Sequence, residues 1–125
     1  MKKIACLVVV VFAFAMMFST SAFSARKTII RIGINAPMTG DIPKVGEGSK
    51  YAAMLWLEDI EKAGGLEVGG KKYEVDLVIE DNESKAESAV KANTKMITQD
   101  DVLAIVGPQS SKQAIPAGEV ANKYK

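Results

Sequence analysis

Val102-Leu103-Ala104-Ile105-Val106 is a run of five apolar side chains, closed by Gly107-Pro108 and followed by Gln109-Ser110-Ser111. A short continuous apolar run bounded by turn residues reads as a strand buried on both faces, the habit of parallel sheets. Gly-Pro ends it. In an open parallel sheet, ligands bind outside the carboxyl ends of the strands. Two serines at that edge, opening a helix, offer hydroxyls and free backbone N–H groups to an anion such as a carboxylate. The competing reading is that Ser110 or Ser111 simply caps the helix.

The remainder of the chain sets this strand in an alternating pattern. Residues 28–35 are rich in β-branched side chains and read as a first strand. Residues 36–46 hold two prolines and two glycines and read as a loop. From residue 47 to 63 the pattern turns helical, with Ala53, Trp56, Leu57, Ile60 and Ala63 on one apolar stripe. Gly64-Gly65 stops that helix. Gly69-Gly70 implies a tight hairpin leading into a second strand at residues 73–80.

Ser84-Lys85-Ala86-Glu87 matches the capping box, in which serine and glutamate satisfy each other's unpaired amides. The helix it opens runs to about Thr98, with Ala86, Ala89, Val90, Asn93, Met96 and Ile97 facing inward. Asn93 is the weak point of that stripe. A last helix begins near Ser111 or Gln113, with Ala114, Ala117 and Ala121 as a small apolar face. Pro116 loosens its start, because proline supplies no N–H. The order β-α-β-α-β-α implies an α/β, Rossmann-like fold: a parallel sheet with right-handed crossovers and helices on both faces. Its carboxyl edge would gather Thr39-Gly40-Asp41, Glu80-Asp81-Asn82 and Gln109-Ser110-Ser111.

The amino-terminal block is of another kind. Met1-Lys2-Lys3 precedes 15 apolar residues at positions 4–18, shorter than the about 20 that span a bilayer. Small and polar residues follow, and Ala22-Phe23-Ser24 fits a small-x-small cleavage rule. Residues 1–24 read as a secretory signal peptide, with cleavage after Ala22 as the second choice. The chain then meets a membrane only through this signal peptide before cleavage, and the mature chain is exported to the periplasm. Cys6 is the one cysteine and lies in the leader, so the mature chain has neither thiol nor disulfide.

Several chemistries are excluded or weakened. The 16 basic and 15 acidic residues nearly cancel, and no basic stripe invites nucleic acid. With no histidine, His-based catalysis and His-metal sites are absent from this chain. Gly46-Glu47-Gly48-Ser49-Lys50 has the wrong letter order for a phosphate loop, and Tyr51 stands where G-x-G-x-x-G needs its last glycine. No cofactor, metal or catalytic residue is indicated. The Glu80-Asp81 pair reads as a solvated loop that favours the following helix dipole; its enzymatic alternative is a carboxylate pair or Mg²⁺ site.

The chain resembles periplasmic substrate-binding proteins of the branched-chain amino acid (leucine/isoleucine/valine) ABC-transporter family. The resemblance rests on Ile32-Gly33-Ile34 leading to Pro37-Met38-Thr39-Gly40, then Gly46, Ala63-Gly64-Gly65 and the Gly69-Gly70 turn. It continues through Glu80-Asp81, Ser84-Lys85-Ala86-Glu87, Val106-Gly107-Pro108-Gln109-Ser110-Ser111 and Pro116. It implies a type I periplasmic binding protein: two Rossmann-like lobes, hinged and closing on a ligand. By position, Ser111 matches the residue that holds a ligand α-carboxylate, with Ser110 and Gln109 beside it. The segment from Thr39 to Gly46 matches another contact, and Val45 stands where the family often has an aromatic side chain. Some members bridge the loops after strands two and three by a disulfide; Ser84 and Ser110 occupy those positions here.

Lys125 falls inside the last expected helix, so residues 25–125 are expected to be an incomplete N-terminal lobe. The resemblance implies an amino-acid ligand, a membrane permease as partner, and a binding role rather than catalysis. A ligand-sensing receptor domain and an exported α/β enzyme are the alternatives.

Overall fold

A computed structural model describes residues 28–124. The expected signal peptide at residues 1–24 lies outside them. The elements are β1 (Ile29–Ala36), α1 (Pro43–Lys62), β2 (Leu66–Val68), β3 (Lys71–Asp81), α2 (Ala86–Thr98), β4 (Ala104–Val106) and α3 (Ser111–Lys123). One four-stranded sheet has the order β2-β3-β1-β4. β1 pairs in parallel with β3 along its whole length, from Ile29↔Glu74 to Ala36↔Asp81. It pairs in parallel with β4 from Ile32↔Ala104 to Ile34↔Val106. β2 and β3 form the expected Gly-Gly hairpin, with Leu66 opposite Tyr73.

Alternate residues of β1 point to opposite faces. On one face Ile32 and Ile34 look toward Ala52, Ala53 and Trp56 of α1. On the other, Asn35 bonds into α2, and α3 packs against α2. The fold is therefore α/β with a mostly parallel, Rossmann-like sheet and helices on both faces. Among the described residues no helix is long and apolar enough to cross a membrane.

The fully buried core is small and lies mostly on the α2 face. It comprises Ile34, Ala36, Ala89, Ala92, Met96 and Ala117, together with the polar Asn35, Asn82, Asn93 and Gln113. Asn93 is thus no weakness of the stripe. Its Oδ1 accepts from Asn35 Nδ2 at 2.8 Å and its Nδ2 donates to the Ala117 carbonyl at 2.9 Å. A buried amide is tolerated because both of its ends are engaged.

Five local expectations are corrected. α1 starts at Pro43 rather than at residue 47. Proline fits the first helical turn, where the missing N–H has no intrahelical partner to lose. Gly46 then sits inside the helix, where an added Cβ would stand 2.2 Å from the Pro37 carbonyl oxygen. The helix enters this early because glycine lets its first turn lie on the loop after β1.

The capping box does not form. Lys85 is the α2 N-cap and makes no side-chain cap bond. Ser84 instead turns away, with φ 59°, to serve a distant loop. Pro116 lies within α3 rather than at its start, and the helix runs past it.

β4 is not buried on both faces. Leu103 is 74% exposed and Val106 57% exposed. In this structure β4 is the edge strand, so a run that reads as interior has nothing on its outer side. The α1 stripe is likewise half-covered: Ala53, Leu57 and Ile60 are partly buried while Trp56 is 39% exposed.

Candidate functional site at the carboxyl edge

β1 is central, and its neighbours β3 and β4 lie on opposite sides. The chain reaches β3 through α1, then crosses back over β1 through α2 to reach β4. The gap between the carboxyl ends of β1 and β4 is therefore a topological switch point, where open α/β sheets hold ligands.

Asp81 ties the loop after β1 to the loop after β3. Its Oδ1 accepts from the amides of Met38 (2.9 Å), Thr39 (3.1 Å) and Glu83 (2.8 Å). Its Oδ2 accepts from the Thr39 hydroxyl at 2.6 Å. Burial pushes its pKa up; the Thr39 hydroxyl and the amides of Glu83, Thr39 and Met38 outweigh burial and hold the carboxyl below its ordinary value. Ser84 strengthens the tie. Its hydroxyl donates to the Thr39 carbonyl at 2.9 Å and accepts from the Ile42 amide at 3.3 Å.

Asp81 is thus a structural acceptor rather than a solvated charge, which corrects the simple loop reading. Glu80 pairs with Lys95, which also lies 3.4 Å from Asp100 Oδ2. The bond from Glu80, followed by the smaller contribution of Asp100, raises the Lys95 pKa against its desolvation. Both acids of the pair are already engaged, and neither is presented as a free acid or base. Among the described residues, no group of three or more Asp, Glu, His or Cys side chains is arranged to hold a metal.

The loop after β4 lies directly on the end of β1. Gly107 has φ 101°, and a Cβ there would stand 2.2 Å from the Asn35 carbonyl oxygen. Only a residue without a side chain fits both the dihedral and the approach. From this anchor Gln109 reaches across to α1, its Nε2 donating to Ser49 Oγ at 2.7 Å. Ser49 Oγ in turn donates to the Val45 carbonyl at 3.0 Å. Gln109 and Val45, singled out from the sequence, belong to one connected wall. Val45 is 44% exposed on it.

Ser110 and Ser111 stand at the start of α3. Ser110 is the N-cap residue with extended backbone, yet it makes no side-chain cap bond. Its carbonyl accepts the first helical bonds, from Gln113 (3.0 Å) and Ala114 (2.8 Å). The cap reading of these serines is therefore not realised. Among the described residues, neither hydroxyl has a hydrogen-bond partner. Ser111 is exposed and Ser110 half-buried.

The sequence offered no signal for Ser49, which lies 60 positions from its partner. Ser84 was visible, but as a cap. Next to the Gln109–Ser49 bond, a groove of about 470 Å³ runs over Ile32, Ile34, Leu77, Ala104, Val106 and Trp56. Its walls are sheet side chains on one side and α1 side chains, Trp56 among them, on the other, the apolar seam between a parallel sheet and a covering helix. It is an open core face rather than a cradle for a polar ligand.

An open, mostly parallel sheet with three polar loops gathered at its switch point has the geometry at which α/β sheets hold ligands. The chain belongs to the periplasmic binding protein family, whose model matches residues 29–125. An amino acid binding protein of Pseudomonas aeruginosa is 36% identical over 89 residues, covering 71% of this chain and 23% of the relative. A Leu/Ile/Val-binding protein of Rhizobium johnstonii is 34% identical over 91 residues, covering 73% of this chain and 23% of the relative. Among solved structures, a branched-chain amino acid transporter substrate-binding protein from Streptococcus pneumoniae, in complex with isoleucine, superposes with TM-score 0.70. It is 34% identical, over 78% of this chain and 27% of that one. The chain spans about a quarter of the length of the relatives it matches.

Proposed function

We propose that this chain is part of the extracytoplasmic solute-binding component of an ABC importer, and that the ligand is a branched-chain or similar amino acid held by its α-carboxylate. On this reading residues 25–125 belong to the N-terminal lobe, residues 1–24 are removed on export to the periplasm, and a membrane permease receives the ligand. No catalytic step is involved.

One observation carries the reading. At the switch point, the hydroxyls of Ser110 and Ser111 are unengaged beside the leading amides of α3. An α-carboxylate needs several short donors converging on two oxygens, and unspent hydroxyls with helix-start amides supply them. The names of the relatives, which bind leucine, isoleucine and valine, agree with such a ligand.

Calorimetric titration of the full-length protein with the natural amino acids tests it. Saturable binding of leucine, isoleucine or valine, lost on esterifying the ligand carboxylate, is the expected result. Binding that ignores esterification would remove the carboxylate from the recognition scheme.

A further inference from the structure

We propose that Ser49 is a positioning residue for the binding site: the relay Gln109–Ser49–Val45 locks the loop after β4 to the first turns of α1, and so sets the width of the ligand crevice. This deepens the amino-acid-binding reading and rests on it.

The loop after β4 has few other anchors. β4 contributes only three residues, and it pairs on one side only. Its outer edge is open, and Val106 and the preceding Leu103 are exposed. Gly107 holds one end of the loop against Asn35. Past Gly107 the chain must still present Ser110 and Ser111 at a fixed distance from α1. Among the described residues, the one side-chain hydrogen bond made from this loop is Gln109 Nε2 to Ser49 Oγ, at 2.7 Å.

Ser49 suits the role chemically. A hydroxyl both accepts and donates, so it takes the Gln109 amide proton and passes its own to the Val45 carbonyl, 3.0 Å away. Alanine would keep the helix and lose both bonds. The acceptor, Val45 C=O, belongs to the turn of α1 whose glycine, Gly46, is pressed against Pro37. The relay therefore ends on a turn that is itself seated on the loop after β1. Two loops that Asp81 does not connect are joined here.

Holding a site in its binding geometry raises affinity by lowering the ordering cost of the bound state. The loss of one such hydrogen bond is expected to weaken affinity by about three- to tenfold. The test uses the full-length protein and calorimetric titration with leucine, isoleucine and valine. The variants are Ser49→Ala, Ser49→Thr, Gln109→Ala and the double variant Ser49→Ala with Gln109→Ala, with melting curves on each.

Ser49→Ala is expected to bind about three- to tenfold more weakly, Ser49→Thr to recover most of that loss, and the double variant to be no worse than the weaker single variant. Alanine is the best helix former, so Ser49→Ala leaves α1 intact. Unchanged affinity in Ser49→Ala, whatever its melting temperature, overturns the positioning role. Additive losses in the double variant also overturn it, since they mean that Gln109 meets the ligand independently of Ser49. If the wild-type protein binds no amino acid, the functional reading itself falls and the relay falls with it.

Discussion

Asn35 on β1 donates its side-chain amide to Asn93 on α2 across 2.8 Å, joining residues 58 positions apart in the middle of the core. The same Nδ2 reaches the Ala89 carbonyl at 3.0 Å, while Asn35 Oδ1 accepts from Asn82 at 2.8 Å. Asn93 passes the chain of bonds on to Ala117 of α3. Three buried amides thus link the loop after β3, the central strand and two helices. Their energetic value lies in being complete, because each unpartnered member would carry its full desolvation cost.

Replacing Asn93 by leucine, a side chain of similar size, should leave Asn35 Nδ2 with only its Ala89 bond and take a donor away from the Ala117 carbonyl. We expect a loss of about 1–3 kcal/mol in chemical denaturation of the full-length protein. A variant as stable as wild type would mean that the freed groups find new partners.

Asp81 should carry a pH-dependent share of stability. Its folded pKa lies below the ordinary value, so its contribution is present above the unfolded value, about 3.9, and fades as pH falls through the lower folded value. Asp81→Asn should cost about 1–3 kcal/mol at neutral pH. The gap between wild type and variant should stay level from about pH 5 to 8 and close only below about pH 4. Denaturation midpoints at a series of pH values check this, and a gap that widened on acidification would reverse the assignment.

Ser111→Ala should separate binding from folding. A hydrogen bond to a charged group contributes about 1.5–3 kcal/mol, so affinity for the amino acid should fall roughly tenfold to a hundredfold. Neither serine caps α3 by its side chain, so the melting temperature should hardly move. The leading amides remain, and binding should weaken without vanishing. Titration and melting of the same sample give both numbers; unchanged affinity in the folded variant would take Ser111 out of the site.

Residues 25–125 expressed by themselves should self-associate. β4 is an open edge with Val106 and Leu103 exposed, beside an apolar groove of about 470 Å³. Sedimentation should show mass rising with concentration, and Val106→Lys should reduce it. A monomer at all concentrations would count against the edge as the cause.

Much of the fold was legible because its signals are local. The Gly69-Gly70 hairpin, the stop at Gly64-Gly65 and the strand–helix alternation depend on dihedral freedom and on periodicity within a few residues. Those signals also located the carboxyl edge and its serines. What only the tertiary structure decided are the partners. Ser84 reads as a cap, but its hydroxyl goes to Thr39, 45 positions away. Asn93 reads as a flaw until Asn35 is placed opposite it. Asp81 reads as solvated until the amides of Met38 and Thr39 converge on it. The apolar run at residues 102–106 reads as interior because hydropathy reports what a residue prefers, and the sheet order alone decides whether a neighbour is there to bury it. Gln109 stands out beside the serines, but its partner Ser49 carries no mark in the sequence: the hydrogen bond between them exists only because crossing back over β1 brings the loop after β4 beside α1.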